Sequence, residues 1–408
     1  MRVRSLELVL VLAVLVVAVL LSGCPPKTPE GGTPGPSPAS TSAPAKTGAA
    51  PAGEPIKIGA ILSVTGPSAP LGVPEQACAQ MLEKQINDSG GVSGRPIKII
   101  IEDDASEEAK AVLAAKKLID QDKVCAIIGP TVSGTTLAIA DSCDKAGIPL
   151  ISCAASVKIT QPVKKFVFST AQTDVLAVGR IVPFLKDKKF TKVALICDSN
   201  AFGQSGAEQL KRQLPAAGVT IVDEEKFGTK DTQMTAQLTK IKAANPQAII
   251  CWGTNPGPAV VTKNAKTLGI KAQLIMSHGS ANPDYIKLAG ADAEGIVLPC
   301  GKIIVADELA ASDPQKTVLE KFKADFEKSA GKPPTTFAGH VYDAVEILLP
   351  VLKTAGEDKA KIRDGIETTK DFAGIGGLFN LSPTDHNGLK PDAFTLVTVK
   401  GGKFTTAK

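Results

Sequence analysis

From residue 56 onward the chain repeats one local pattern: a short apolar run, a loop of small or hydroxyl residues, then apolar positions at helical spacing. That alternation is the strongest constraint on its fold, because parallel strands must be joined by a crossover, usually a helix. Residues 56–62 read as a strand, and Ala77, Met81 and Leu82 mark the inner face of a helix that stops at Gly90-Gly91. A strand at 97–101 follows, and Ser106-Glu107-Glu108 opens a helix with an expected buried stripe of Val112, Ala115, Leu118 and Ile119. Acid at its start and lysines towards its end suit the helix dipole. The unit repeats as strand 124–128, helix 135–146 ended by Gly147, and strand 148–152. A parallel sheet with helices on both faces is predicted.

A second series starts after Asp174. Strand 193–197, helix 204–214, strand 219–222 and a helix carrying Met234, Leu238 and Ile241 lead to strands 248–251, 273–276 and 296–298, with a helix at 260–268. Each series can complete a doubly wound domain, and residues 55–408 suffice for two domains of roughly 100 to 200 residues each. Such sheets bind ligands beyond the carboxyl ends of their strands, so the loops there are the places to look for function.

The N-terminus carries an address. Arg2 and Arg4 precede an apolar stretch over 8–21, interrupted only nearby by Glu7, and Leu21-Ser22-Gly23-Cys24 closes it. This reads as a lipoprotein signal, 1–23, cleaved before a lipidated Cys24; an ordinary cleaved signal or an uncleaved anchor is the alternative. The stretch is short for a span, which takes roughly 20 residues. Residues 24–54, rich in Pro, Gly and Ser, then read as a tether that holds a globular body off the membrane.

Composition narrows the function. With 46 basic and 41 acidic residues, net +5, and no long run of like charge, no nucleic-acid partner is expected. Of eight cysteines, seven remain after Cys24; Cys125, Cys197, Cys251 and Cys300 sit in apolar runs and read as small buried hydrophobes, with a disulfide framework as the alternative. Three histidines and no close Cys/His spacing leave no metal site. There is no Gly-x-Gly-x-x-Gly after the first strand, no Walker loop and no Gly-x-Ser-x-Gly elbow, so neither a cofactor nor an enzyme is expected.

Two loops stand out. Gly129-Pro130-Thr131-Val132-Ser133-Gly134-Thr135-Thr136 runs from a strand into a helix, where unpaired N–H groups and hydroxyls suit a carboxylate or phosphate; a plain helix cap is the other reading. Cys153-Ala154-Ala155-Ser156 follows the neighbouring strand and converges on the same spot.

These loops belong to a longer set of segments. Ile56-Lys57-Ile58-Gly59 with Thr65-Gly66-Pro67, Gly90-Gly91-Val92-Ser93-Gly94-Arg95, Glu102-Asp103-Asp104, Ile127-Ile128-Gly129-Pro130, Asp198 with Phe202-Gly203, Gly290-Ala291-Asp292-Ala293-Glu294-Gly295 and Tyr342-Asp343-Ala344 occur in order. In that order and spacing the chain resembles the type I periplasmic binding proteins of ABC importers, in their branched-chain (Leu/Ile/Val) amino-acid branch. The resemblance implies an α/β fold of two doubly wound, Rossmann-like lobes joined by a three-strand hinge. The N-terminal lobe would span 55–172 plus about 303–380, and the C-terminal lobe 173–302 plus about 381–408. It also implies capture of a small solute by hinge closure, an ABC permease as partner, a lipid anchor on a bacterial membrane facing the periplasm or cell surface, and a monomer. A ligand sensor signalling to a membrane receptor is the alternative role.

The family's contacts carry over residue by residue. Ser133 matches the serine that holds the ligand's α-carboxylate, and Ala154, Ala155 and Ser156 match an Ala-Ala-Thr segment whose backbone and hydroxyl hold the ligand's carboxylate and ammonium groups, with Ser156 in place of the threonine. The second lobe departs: Thr254 stands where the family has a tyrosine, and His278 where a glutamate pairs with the ligand's ammonium. Leu71 replaces a pocket aromatic, and Phe202 a tyrosine. A buried ammonium without an anionic partner costs several kcal/mol. The ligand expected is therefore a hydrophobic or branched-chain amino acid, or an aliphatic or aromatic acid without a free ammonium. His278 reads either as a loop histidine, exposed or bonded to a carbonyl, or as a cleft residue titrating between roughly pH 5 and 8. Trp252 reads as core or pocket wall, with the core favoured because it continues an apolar strand.

Overall fold

The computed structural model describes residues 51–407. The signal, Cys24 and most of the tether lie outside the described residues, and none of the described helices is long and apolar enough to cross a membrane.

The first series forms a five-stranded parallel sheet of β1 (Ile56–Leu62), β2 (Ile97–Asp103), β3 (Ile127–Ile128), β4 (Leu150–Ser152) and β5 (Val167–Ser169), in the order β2-β1-β3-β4-β5. Helices α1 (Ala69–Asp88), α2 (Glu108–Asp120) and α3 (Ser133–Ala146) make the crossovers. Each strand starts and stops on local chemistry. Gly147, in the left-handed region at φ 65°, ends α3 and turns the chain into β4.

The second series builds a seven-stranded sheet. Its parallel part comprises β6 (Lys192–Asp198), β7 (Thr220–Phe227), β8 (Ala248–Trp252), β9 (Gln273–Met276) and β10 (Val297–Gly301), connected through α4 (Asp174–Asp187), α5 (Ala201–Ala216), α6 (Thr235–Ala243), α7 (Gly257–Thr267) and α8 (Pro283–Ala289). The chain then returns to the first sheet with α9 (Lys316–Ala330), α10 (Thr336–Ala355) and α11 (Lys359–Glu367), followed by a small hairpin of β11 (Phe372–Ala373) and β12 (Leu378–Phe379). It ends as β13 (Phe394–Lys400) and β14 (Lys403–Thr406), added antiparallel beside β10 to give β14-β13-β10-β9-β8-β6-β7. Two α/β lobes result, and the chain passes between the sheets three times: after β5, after β10 and before β13.

Burial explains the returning segments. Phe322, Val341 and Leu348 share one core with Ile58, Leu62 and Leu82 of the first sheet and α1. The chain stays in that core through Leu381, Leu389 and Ala393, beyond the return expected near residue 381, because these apolar side chains bury there before Phe394 enters the second sheet. The opposite face of the first sheet packs Ile61 and Ile127 under Leu118 and Ile139.

One helix departs from its expected phase. α2 buries Ala111, Ala114, Ala115 and Leu118, while Val112 is 43% exposed and Ile119 only half-buried. A helix turns about 100° per residue, so a stripe phased on Ala111 leaves Val112 well off the inner face. All seven described cysteines are buried and unpaired, so the disulfide alternative does not form among them. Burial pushes the Cys125, Cys143 and Cys197 thiols up to about 12, which keeps them protonated.

Candidate functional site

At the carboxyl ends of both parallel sheets the loops enclose a cavity of about 590 Å³, within the size range of small-molecule sites. Seven of the eight expected ligand contacts line it: Leu71, Ser133, Ala154 and Ala155 from the first lobe, and Phe202, Thr254 and His278 from the second. Ser156 stands behind the wall. Its hydroxyl donates to Ser205 Oγ of α5 at 2.8 Å and accepts from the Lys158 N–H, capping the turn Val157–Ile159. The expectation of a wall hydroxyl at Ser156 is corrected accordingly, because those two partners draw the side chain away from the cavity.

The first-lobe wall is pre-set by its own hydrogen bonds. Gly129 leaves β3 at φ 90°, where an added Cβ would lie 2.1 Å from the Ile61 carbonyl oxygen, so the loop can start only with glycine. Ser133 opens α3 and is 2% exposed. Its Oγ accepts the Ser156 N–H at 3.2 Å, which leaves the hydroxyl proton for another acceptor. The Ala154 N–H is already engaged by Ser152 Oγ at 3.1 Å. Thr135 bonds back to the Val132 carbonyl and Thr136 shares its hydroxyl with Ser152, so both act as structural caps.

Behind this wall runs a buried polar chain. The Ser63 N–H donates to Thr131 Oγ1 at 2.9 Å, and Thr131 in turn donates to Glu75, while the Ser63 hydroxyl donates to Asp104 Oδ1 at 2.6 Å. Burial holds the Glu75 carboxyl well above its ordinary range, against the opposing hydrogen bond from Thr131. Burial works against a charge on Glu75, whose oxygen accepts the Thr131 hydroxyl and props it from behind.

The second-lobe wall is aromatic. The His278 ring meets Phe202, Trp252 and Phe394 edge-on, with centroids 5.2, 5.7 and 5.2 Å away. His278 is only 9% exposed, and neither ring nitrogen has a protein partner. Burial, with a further push from His340, lowers its pKa to about 3. The loop reading, exposed or bonded to a carbonyl, does not hold, because the ring is buried at the cavity wall without a hydrogen-bond partner, and that burial works against the titration expected between pH 5 and 8. Trp252 is fully buried and belongs to the core behind Phe202, as its strand position implied.

The wall residues that escaped the sequence reading include Phe337 and His340 of α10. Nothing local marks them, since α10 is buried nearly all round and its contact with the cavity arises only when the chain returns to the first lobe. The wall's only carboxylates, Glu107 and Glu108, are exposed, as are its lysines, Lys110 and Lys230. Among the described residues no group of His, Cys, Asp and Glu is arranged to hold a metal ion.

Known proteins resemble this chain in sequence and fold. The family model described as periplasmic binding protein matches residues 55–403. A leucine-, isoleucine-, valine-, threonine- and alanine-binding protein of Pseudomonas aeruginosa is 27% identical over 80% of this chain and 86% of its own length. A Leu/Ile/Val-binding protein of Rhizobium johnstonii is 27% identical over 86% of this chain and 94% of its own. Among solved structures, an extracellular ligand-binding receptor from Rhodopseudomonas palustris superposes with a TM-score of 0.82 at 28% identity, covering 87% of this chain and all of that one. The branched-chain amino acid transporter substrate binding protein of Streptococcus pneumoniae, in complex with isoleucine, superposes at 0.76 with 28% identity, covering 86% and 98%. With two α/β lobes, a cavity at the strand ends and a family match over nearly all of the described residues, the chain belongs to the periplasmic binding proteins, in their type I fold.

Proposed function

We propose that this chain is the solute receptor of an ABC importer, working outside the cytoplasmic membrane as a lipid-anchored monomer on Cys24 and its tether. It captures a small carboxylate with an aliphatic or aromatic body between lobes that close about the three crossings. The observation that carries this reading is the Ser133 hydroxyl: buried in the cavity wall at the start of α3, it has one lone pair occupied by the Ser156 N–H and its proton available. A carboxylate there meets a hydroxyl donor and the positive end of a helix dipole together.

Branched-chain amino acids are candidate ligands on the strength of the relatives' names. The second-lobe wall argues for a ligand without a free ammonium, since no buried carboxylate lines it among the described residues. A thermal-shift screen of amino acids, oxo acids, aromatic acids and their amides tests the assignment. A ligand at 100 times its dissociation constant adds about 2.7 kcal/mol of stability. Acids must outperform their amides; equal stabilisation by both would refute carboxylate capture. Loss of uptake of that acid on deletion of the chain tests the transport role.

A further inference from the structure

We propose that Ser205 and Glu208 of α5 clamp the first lobe's segment 155–158 onto the second lobe, and that Ser156 thereby couples carboxylate capture at Ser133 to closure of the cavity. The clamp presupposes the hinge closure proposed above and supplies the contact that closure makes.

Residues 155–158 follow β4 in the first lobe, and their polar groups reach across to the second. The Ala155 carbonyl accepts the Asp174 N–H at 3.1 Å, and the Val157 N–H donates to Asp174 Oδ1 at 3.3 Å. The Ser156 hydroxyl donates to Ser205 Oγ at 2.8 Å, and Lys158 Nζ stands 2.7 Å from Glu208 Oε1. The Ser156 N–H meanwhile donates to Ser133 Oγ. One residue therefore holds the carboxylate-facing hydroxyl with its backbone and the other lobe with its side chain.

Hinge motion acts differently on these bonds. Asp174 follows the first crossing directly and opens α4, so its bonds to Ala155 and Val157 lie at the pivot and survive opening. Ser205 and Glu208 lie within α5, off the crossing, and part from the segment when the lobes do. Ser156 is 2% exposed and Ser205 fully buried, so their bond is dry and counts for more than the half-exposed ion pair beside it. The same helix begins with Ala201 and Phe202 in the cavity wall, so closing the cavity and engaging the clamp are one movement of α5. Ser133 gives its proton to a bound carboxylate while accepting the Ser156 N–H, and hydrogen bonds in such a chain strengthen one another. A carboxylate thus fixes Ser156 where its hydroxyl meets Ser205.

A disulfide tests the clamp. In the full chain carrying Ser156→Cys and Ser205→Cys, sulfurs replace oxygens 2.8 Å apart and come within bonding reach, while the native cysteines among the described residues are buried. Pulsed electron resonance between nitroxides on ketone-bearing residues at Lys116 of α2 and Lys266 of α7, both exposed and one in each lobe, reads the lobe separation. Oxidation should collapse the distribution onto its shortest separations, and reduction should restore it. Motion that persists unchanged in the cross-linked chain overturns the clamp and leaves hinge closure standing. One separation common to both forms overturns closure as well, and a disulfide that never forms shows that the lobes do not meet there, which overturns the clamp. Should the double variant not fold, a zero-length carbodiimide cross-link between Lys158 and Glu208 of the native chain, found by mass spectrometry, checks the same contact. Its absence overturns the clamp.

Discussion

The two walls of the cavity are built on opposite plans. The first-lobe wall consists of short loops whose N–H and hydroxyl groups are already bonded to one another, as in Ser156 to Ser133 and Ser152 to Ala154, so its shape is set before any ligand arrives. The second-lobe wall is a cage of rings around an imidazole with two unpartnered nitrogens. A wall of fixed polar groups can receive a group common to many ligands, whereas a cage of rings selects by the shape of the ligand's body. In this reading the first lobe recognises the carboxylate and the second decides whose carboxylate it is.

Four perturbations would break or sharpen that contrast. The largest effect is expected from Trp252→Ala, which removes a fully buried ring behind the second wall. Urea unfolding should show a loss of about 3 to 5 kcal/mol; a loss below about 1 kcal/mol would mean the cage is not held from behind. Next, Ser133→Ala should weaken binding of the carboxylate found in the screen by about 1.5 to 3 kcal/mol, read by calorimetry. Ser156→Ala should cost less affinity, since its hydroxyl faces Ser205, and equal losses would place Ser156 in direct contact with ligand.

The third concerns acid. His278 has its folded pKa lowered to about 3, below the value of about 6.5 in an unfolded chain. Between those values the unfolded state binds the extra proton, so stability falls as pH drops through that window. His278→Gln should flatten the fall by up to about 1.4 kcal/mol per pH unit, seen in unfolding midpoints from neutral to acid pH. Slopes identical to the native chain would show that the ring is hydrated. The smallest effect belongs to Val112→Ser on the outer face of α2, far from either plan, with a stability change within about 0.5 kcal/mol by urea unfolding. A larger loss would show that α2 buries this position in solution.

Much of this was legible in the residues. Both parallel sheets follow from runs such as 56–62 and 193–197, because strands buried on both faces must be apolar throughout, and Gly147 marks its helix end through a backbone conformation that favours glycine. The loop at Ser133 was legible for a similar reason: its chemistry lies in consecutive residues. What escaped depends on residues distant in sequence. Whether Ala111 or Val112 faces inward depends on which side of α2 packs on the sheet, and Ser156 could not be placed until Ser205, from the other lobe, came within 2.8 Å. His340 met the cavity only because α10 crosses back to the first lobe's core.

By itself, then, the sequence determined the layered α/β architecture, the expected address at Cys24 and the anion-ready loop, all of which rest on periodicity and short-range backbone chemistry. Only the tertiary structure decided that His278 is caged by rings, that His340 reaches the cavity wall, and that Ser156 turns away. Protonation and hydrogen-bond satisfaction depend on exclusion of water, and water is excluded only when segments far apart in the chain close around the same point.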